Sequence, residues 1–319
     1  MAKLRAQEQA LLEQIKAGGF RPTYQVPLEE TRASLTQMAL MMAGPKLDVA
    51  AVEDRLLSGP GGKLPIRIYC AAPPMPGERS PVALYFHGGG FCLGDLETHD
   101  HVCRFLCKNA GITVIAVDYR LAPENKFPAA LEDCYHVLCW VAENAAAIGI
   151  DASRVALVGD SAGGTLAVAV SLLARDRAGP QIAYQVAVYP ALTMDDGEAF
   201  PSRRELGNGE YFLAFEDFDF FRDLYLPDPA ADVSNPLVSP LYAGDLSGLS
   251  PTLIVAAEYD PCRDENARYA ELLEAAGVAA EHVCFAGTIH PFFLFDGVLE
   301  SGREGQRLVA DRLRQQLNP

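Results

Sequence analysis

Ser161 occupies the position at which the sequence most clearly offers a nucleophile. It is the centre of the pentapeptide G-D-S-A-G (159–163), which follows the apolar run 154–158 and opens a helical pattern. A strand that turns so sharply into a helix needs small flanking residues, because neighbouring backbones crowd the serine. The helix N-terminus also favours developing negative charge. The alternative is that Ser161 only caps the helix, but the strand-to-helix context favours the nucleophile.

The tetrapeptide His-Gly-Gly-Gly (87–90) forms a glycine-rich loop directly after the apolar run 81–86. Three glycines allow backbone N–H groups to face a ligand that side chains would obstruct. Such a loop supplies part of an oxyanion hole, and the residue after the nucleophile, here Ala162, supplies the rest. A flexible loop or a phosphate cradle is the alternative. No G-K-S/T motif follows and the G-x-G-x-x-G spacing is absent, which disfavours a nucleotide site.

A general base and an orienting acid are expected after the nucleophile, in the order Ser, Asp, His. Asp260 ends the apolar run 252–259, and His290 follows the strand-like run 280–287 in a short loop. Both are therefore predicted at the carboxyl ends of strands, the edge at which open α/β sheets bind ligands. The remaining histidines precede the serine or lie inside a predicted helix or strand: His87, His99, His101, His136 and His282.

Asp264 competes with Asp260 for the role of the acid. It lies at the start of the following helical pattern, where a carboxylate also serves as a cap. We favour Asp260, because a strand end is the more rigid anchor for holding an imidazole ring.

One cluster, formed by His99, His101, Cys103 and Cys107, resembles a metal site. The two cysteines are spaced i,i+4 in the segment 99–111, which has the pattern of an ordinary amphipathic helix. Small buried thiols account for them. We therefore predict neither a metal nor an organic cofactor.

The elements that must position these residues follow a regular order. From residue 81 onward, short β-rich apolar runs alternate with helical patterns, which predicts an α/β fold with a mostly parallel sheet covered by helices on both faces. The alternation is interrupted at about 191–240, where eight of the chain's 27 Phe and Tyr residues fall. Residues 1–50 have helical patterns whose apolar faces lack a partner in their own segment.

Composition narrows the classes of partner. The net charge of −16 argues against nucleic acid and against anionic membrane surfaces, since both bind through basic patches. The N-terminus has no secretory signal pattern, and no uncharged apolar run reaches the roughly 18 residues needed to span a bilayer. We expect a cytoplasmic protein with free thiols at its eight cysteines, and a homodimer is one open oligomeric state.

The motifs taken together resemble those of the hormone-sensitive-lipase-like carboxylesterases, the bacterial family IV esterases of the α/β-hydrolase superfamily. The matching segments are HGGGF (87–91), YRLAPE (119–124), FPAALED (127–133), GDSAGG (159–164), YP (189–190), SPL (239–241) and EYDPCRDE (258–265). The resemblance covers the chain from about residue 55 to the C-terminus.

This resemblance implies a serine carboxylesterase for short- to medium-chain acyl esters. It implies the catalytic residues Ser161, Asp260 and His290, with the N–H groups of Gly88, Gly89 and Ala162 as oxyanion donors. It also implies cap helices at 1–50 and a catalytic domain at 51–319 with a cap insertion at about 191–240. Met38, Met41 and Met42 are candidates for lining a pocket beneath that cap.

The sequence departs from the family pattern at two positions near these residues. Pro291 stands where a glycine usually follows the histidine, and Cys262 replaces a common leucine. Two rival functions stay open, an amide hydrolase with the same three residues and a non-catalytic hydrolase-like binding protein. Loss of the histidine would signal the latter, but His290 is present.

Overall fold

The computed structural model describes residues 1–19, 21–72, 77–195 and 197–318. Eight strands of this part of the chain form one sheet in the order β1-β2-β4-β3-β5-β6-β7-β8. Their bounds are Ala51–Gly59 (β1), Gly62–Cys70 (β2), Ser80–Phe86 (β3), Thr113–Val117 (β4), Ile150–Asp160 (β5), Tyr184–Val188 (β6), Thr252–Tyr259 (β7) and Ala280–Ile289 (β8).

The sheet is mostly parallel, as predicted. β1 and β2 form an antiparallel hairpin, β2 pairs antiparallel with β4, and every pair from β4 to β8 is parallel. Parallel strands need crossover helices, which bury both faces of the sheet. This requirement explains why β3, β4 and β6 are almost entirely apolar and buried.

Ten α-helices are found among the described residues. Their bounds are Ala6–Ala17 (α1), Leu28–Met42 (α2), Asp100–Ala110 (α3), Ala129–Asn144 (α4), Ala162–Asp176 (α5), Pro201–Glu205 (α6), Phe215–Tyr225 (α7), Pro229–Asp232 (α8), Arg263–Ala275 (α9) and Glu300–Leu317 (α10).

The helices cover the two faces of the sheet with separate cores. On β3, Ala83 and Tyr85 contribute to the core beneath α3 and α10, whereas Leu84 and Phe86 contribute to the core beneath α4 and α5. This alternation follows from the two-residue period of a strand. Helix α5 is buried along nearly its whole length, which suits its apolar sequence. The predicted α/β-hydrolase architecture is confirmed.

The N-terminal segment packs at the carboxyl ends of the strands, and polar contacts add to its apolar packing. The Arg5 N–H donates to the Gly287 carbonyl at 2.9 Å, which ties the start of α1 to β8. Arg32 of α2 donates to the Cys92 carbonyl at 2.9 Å and forms an ion pair with Glu124. These contacts hold α1 and α2 above the carboxyl ends of the strands.

The insertion predicted at 191–240 contains the short helices α6 and α8 and the longer α7; its residue 196 lies outside the described residues. Asp217 of α7 accepts the backbone N–H of Tyr24 at 3.0 Å, which joins the insertion to the N-terminal segment. None of the described helices is long and apolar enough to cross a membrane. All eight cysteines are free.

Candidate active site

Ser161 lies at the tight turn between β5 and α5. Its backbone has φ +52° and ψ −123°, a conformation that is strained for a residue with a side chain. The Ser161 N–H donates to the Val188 carbonyl of the neighbouring strand at 2.8 Å, which fixes the turn. A side chain at Gly163 would collide with the Phe86 carbonyl oxygen. The crowding that the pentapeptide predicted is therefore present.

His290 and Asp260 meet this serine from the ends of β8 and β7. His290 Nε2 lies 3.0 Å from Ser161 Oγ, and His290 Nδ1 lies 2.8 Å from Asp260 Oδ2. The other oxygen, Asp260 Oδ1, accepts the Cys262 N–H at 2.8 Å. Asp260 is fully buried and His290 nearly so. The three predicted residues thus form a continuous hydrogen-bonded chain, although the bond between His290 and Pro291 is a cis peptide.

Asp264, the competing acid, has different partners. Its Oδ2 accepts the Ser202 N–H of α6 at 2.9 Å, and its Oδ1 accepts from Arg263 Nε at 2.8 Å. The side chain therefore ties α9 to the insertion. A carboxylate in the first turn of a helix is also favoured by the helix dipole.

The hydrogen bonding of the glycine loop, residues 87–90, differs from the expected arrangement. The Gly88 N–H donates to Asp160 Oδ1 at 3.1 Å, and a side chain at Gly88 would collide with that carboxylate. The assignment of Gly88 as an oxyanion donor does not fit this geometry, because its N–H group is already bonded. Within the described residues, the N–H groups of Gly89, Gly90 and Ala162 make no hydrogen bond to the protein.

Asp160, which the sequence analysis did not single out, holds the glycine loop in place. Its buried carboxylate accepts from Tyr85 Oη at 2.7 Å and lies 3.2 Å from His99 Nε2, besides holding Gly88. Burial opposes ionisation, but His99 and the Tyr85 hydroxyl outweigh it and hold the pKa of Asp160 below its usual range.

His87, the first residue of the glycine loop, packs against Tyr119. It stacks on Tyr119 with ring centroids 4.2 Å apart, and Tyr119 Oη donates to the His87 carbonyl at 2.6 Å. Burial, followed by the nearby His99, lowers the pKa of His87 to about 4. The ring is therefore neutral at physiological pH and has a structural role.

Comparison with known proteins agrees with this arrangement. Residues 83–294, well over half of the chain, match a protein family whose description is 'alpha/beta hydrolase fold'. The chain belongs to the α/β-hydrolase fold family. Its likeness to the hormone-sensitive-lipase-like carboxylesterases is confirmed by its relatives.

These relatives include an esterase of Mycobacterium tuberculosis, 38% identical over 95% of this chain and 93% of the relative. An ethyl acetate hydrolase of Pseudomonas putida is 37% identical over 94% of each chain. Among solved structures, the hyperthermophilic esterase of the archaeon Pyrobaculum calidifontis superposes with a TM-score of 0.92, at 40% identity over 98% of each chain. The prediction of an enzyme of the carboxylic ester hydrolase class is confirmed.

Two cavities meet at Ser161 and His290 of this α/β hydrolase. The larger measures about 460 Å³ and lies beneath α1 and α2. Its walls include the three predicted methionines, Met38, Met41 and Met42, and it reaches Gly89, Gly90 and Ser161.

The smaller cavity measures about 50 Å³ and lies beneath the insertion. Its walls are mostly apolar, and include Met194, Phe218 and Cys262 besides the serine and the histidine. Leu213 and Phe221 of the insertion line both cavities and so divide them. The space around Ser161 and His290 is therefore divided into two parts.

The four residues that resembled a metal site have two different surroundings: the histidines contact carboxylates, and the cysteines lie in the core. His99 contacts Asp160, and His101 Nε2 lies 3.1 Å from Asp296 Oδ1. Cys103 and Cys107 are buried in the core beneath α3. Across the described ranges, no group of three or more His, Cys, Asp or Glu side chains is placed to hold a metal ion.

Proposed function

We propose that this enzyme hydrolyses short- to medium-chain carboxylic esters through an acyl-enzyme formed on Ser161. The observation that carries the proposal is the hydrogen-bonded chain from Ser161 Oγ through both nitrogens of His290 to Asp260. A hydroxyl, an imidazole and a buried carboxylate at these distances are what nucleophilic acyl transfer requires.

In the first half-reaction, His290 Nε2 takes the Ser161 proton as Oγ attacks the ester carbonyl carbon. The resulting imidazolium is stabilised by the Asp260 carboxylate, which holds the ring through Nδ1. When the tetrahedral intermediate collapses, the bond to the alkoxy group breaks. Nε2 returns its proton to that group, which leaves as the alcohol.

The negative charge on the carbonyl oxygen requires fixed donors on the other side of the serine. The N–H groups of Gly89, Gly90 and Ala162 are our candidates, because the Gly88 N–H is committed to Asp160. Ala162 is the first residue of α5, so its N–H is one of the unpaired donors at a helix N-terminus. Donors held rigidly before the reaction stabilise the oxyanion without reorganisation.

In the second half-reaction, water replaces the alcohol. His290 removes a proton from the water as its oxygen attacks the acyl carbon, and the intermediate collapses with Ser161 Oγ as leaving group. The proton returns to Oγ, and the carboxylic acid is released. No step needs a metal or an organic cofactor.

The two cavities support a preference for short and medium acyl chains. The cavity of about 460 Å³ has room for a short or medium acyl chain, and the one of about 50 Å³ holds only a compact group. Both are lined largely by apolar side chains, as expected of a site for an uncharged ester.

The test is a comparison of p-nitrophenyl esters from acetyl to dodecanoyl with a matched p-nitroanilide. We expect kcat/KM to be highest for a short or medium ester, and trapping with an ester of slow deacylation should place the acyl group on Ser161 in a peptide map. Faster turnover of the anilide would identify an amidase. Absence of turnover for every substrate would contradict the proposal.

A further inference from the structure

Arg203 and Glu265 form a fully buried ion pair outside the catalytic residues. Arg203 of α6 is 1% exposed and Glu265 of α9 is 0% exposed. Arg203 Nη2 lies 2.9 Å from both carboxylate oxygens of Glu265 and donates to the Thr193 carbonyl at 2.9 Å. The pair therefore joins the insertion to the helix that follows Asp260.

A buried ion pair is weak evidence for a role in stability. Removing two charges from water costs much of what their attraction returns, and apolar residues of similar volume often serve as well. A pair placed beside a substrate pocket invites a different explanation, namely that it fixes the position of something that the substrate touches.

The Phe218 ring contacts the ion pair. The guanidinium carbon of Arg203 lies 3.8 Å from the centre of the Phe218 ring, within the range of a cation–π contact. The same ring forms part of the wall of the small cavity at Ser161 and His290. Cys262 also lines this cavity and lies three residues before Glu265 in the chain. Two lining residues of the cavity are thus close to the ion pair in space or in sequence.

We infer that the Arg203–Glu265 pair, by holding the Phe218 ring, sets the width of the small cavity and restricts it to a compact ester substituent. Phe218 is then the specificity-determining residue, and Arg203 is a positioning residue that acts through it. The inference rests on the proposed ester hydrolysis. It holds that either the acyl or the alcohol arm of the ester occupies the small cavity, and the experiment decides which.

The experiment measures kcat/KM for two series in the Phe218→Ala, Arg203→Met and wild-type proteins. One series varies the acyl group from acetate to 2-methylpropanoate and 2,2-dimethylpropanoate, and the other varies the alcohol from ethyl to tert-butyl. In one series we expect the ratio of bulky to compact substrate to rise about tenfold or more in Phe218→Ala, since single methyl groups in tight pockets have effects of this size. The series that responds identifies the arm in the small cavity.

Arg203→Met should raise the same ratio in the same series, to a smaller extent, and should add little in combination with Phe218→Ala. The matched control is Arg204→Met. Arg204 is the next residue of α6, is 65% exposed and pairs with Glu198 at the surface. It should leave the ratio unchanged.

Arg203→Met leaves Glu265 unpaired in the interior, and the variant could fail to fold. The double variant Arg203→Met, Glu265→Leu removes both charges together and keeps an apolar filling, and Phe218→Ala tests the cavity without disturbing the pair. If Phe218→Ala or both Arg203 variants lower kcat/KM equally for all substrates, the pair has only a structural role and the inference is overturned. If the wild type hydrolyses none of the esters, the proposed function itself fails.

Discussion

The reacting groups and the walls of the pocket are held in contrasting ways. Ser161, Asp260 and His290 each follow directly on the end of a strand of the sheet, and they are joined by hydrogen bonds of 2.8 to 3.0 Å. The cap, which we define as residues 1–50 and 191–240, contributes helices α1, α2, α6, α7 and α8 and the loops beside them within the described residues. On our proposal, the reacting groups lie at the strand ends, and the side chains that select the substrate lie in the cap.

This difference teaches where substitutions should act on rate and where they should act on specificity. A group that must stay within a few tenths of an ångström of a reacting atom is best placed on a strand end. A wall that only excludes or admits a substituent tolerates more variation. Changes at the strand ends should therefore lower kcat for every ester, whereas changes in the cap should alter the ranking of esters.

The largest effect is expected for Ser161→Ala. Loss of the nucleophile costs about 10⁶ in kcat in a comparable hydrolase, and removing one hydroxyl from a half-buried position should leave the fold intact. Activity is measured with the preferred ester, and folding by circular dichroism and thermal unfolding. Retention of a tenth of the activity in a folded variant would refute the assignment.

Asp260→Asn should rank second, with a loss of about 10⁴ in kcat, because an amide at this position stabilises the wrong tautomer of His290. Asp264→Asn is the matched control. Its carboxylate joins α9 to Ser202 of the insertion and bonds the neighbouring Arg263, so we expect a modest loss of stability and little change in kcat. The reverse ranking would transfer the role of the acid to Asp264.

The third effect concerns Asp160, which accepts the Gly88 N–H and so holds the glycine loop that carries our candidate oxyanion donors. Asp160→Ala should lower kcat by about 10- to 100-fold with little change in KM, since displacing donors should cost somewhat less than the 10²–10³ of removing one. Asp160→Asn keeps an acceptor and should recover most of the rate.

Tyr85→Phe is the control for this third prediction. It removes a hydrogen bond to the same carboxylate but leaves the bond to the loop, so stability should fall by about 1 kcal/mol while kcat changes little. Equal losses of kcat in Tyr85→Phe and Asp160→Ala would show that the carboxylate acts only through the core.

The sequence predicted the strand ends that carry the candidate catalytic residues better than it predicted the cap, for a physical reason. Buried parallel strands are short apolar runs, and residues such as Asp260 and His290 follow them directly, so periodicity alone locates the shared edge. β7 ends at Tyr259 as expected, whereas β8 continues to Ile289, two residues beyond the predicted run 280–287. The N-terminal part of β5 was missed, because Asp151 and Ser153 interrupt the apolar pattern there.

The roles of Gly88, Asp160 and Arg203 could not be read from the sequence. Which of three successive glycines directs its N–H to the substrate depends on backbone torsions that neighbouring contacts decide. A buried carboxylate or guanidinium has no sequence pattern of its own, since charged residues are usually exposed. These positions are defined only by long-range contacts, of Asp160 with His99 and of Arg203 with Glu265.

The smallest effect is expected in the large cavity, beneath helix α2. Met38 lines this cavity and is partly buried, so Met38→Trp should occupy space that a long acyl chain needs. We expect kcat/KM for octanoyl and dodecanoyl esters to fall about fivefold, or roughly 1 kcal/mol, while the acetyl ester is unaffected. Leu40→Trp is the matched control, because Leu40 lies on the same helix but is 48% exposed. Substitution is a sharper test than deleting α1 and α2, since the buried Glu8 of α1 accepts hydrogen bonds from Thr288 and Ser301 of the catalytic domain. An equal loss for acetyl and dodecanoyl esters in Met38→Trp would show that α2 supports the site without selecting its substrate. The proposed contrast between reacting groups at the strand ends and substrate selection by the cap would then fail for the large cavity.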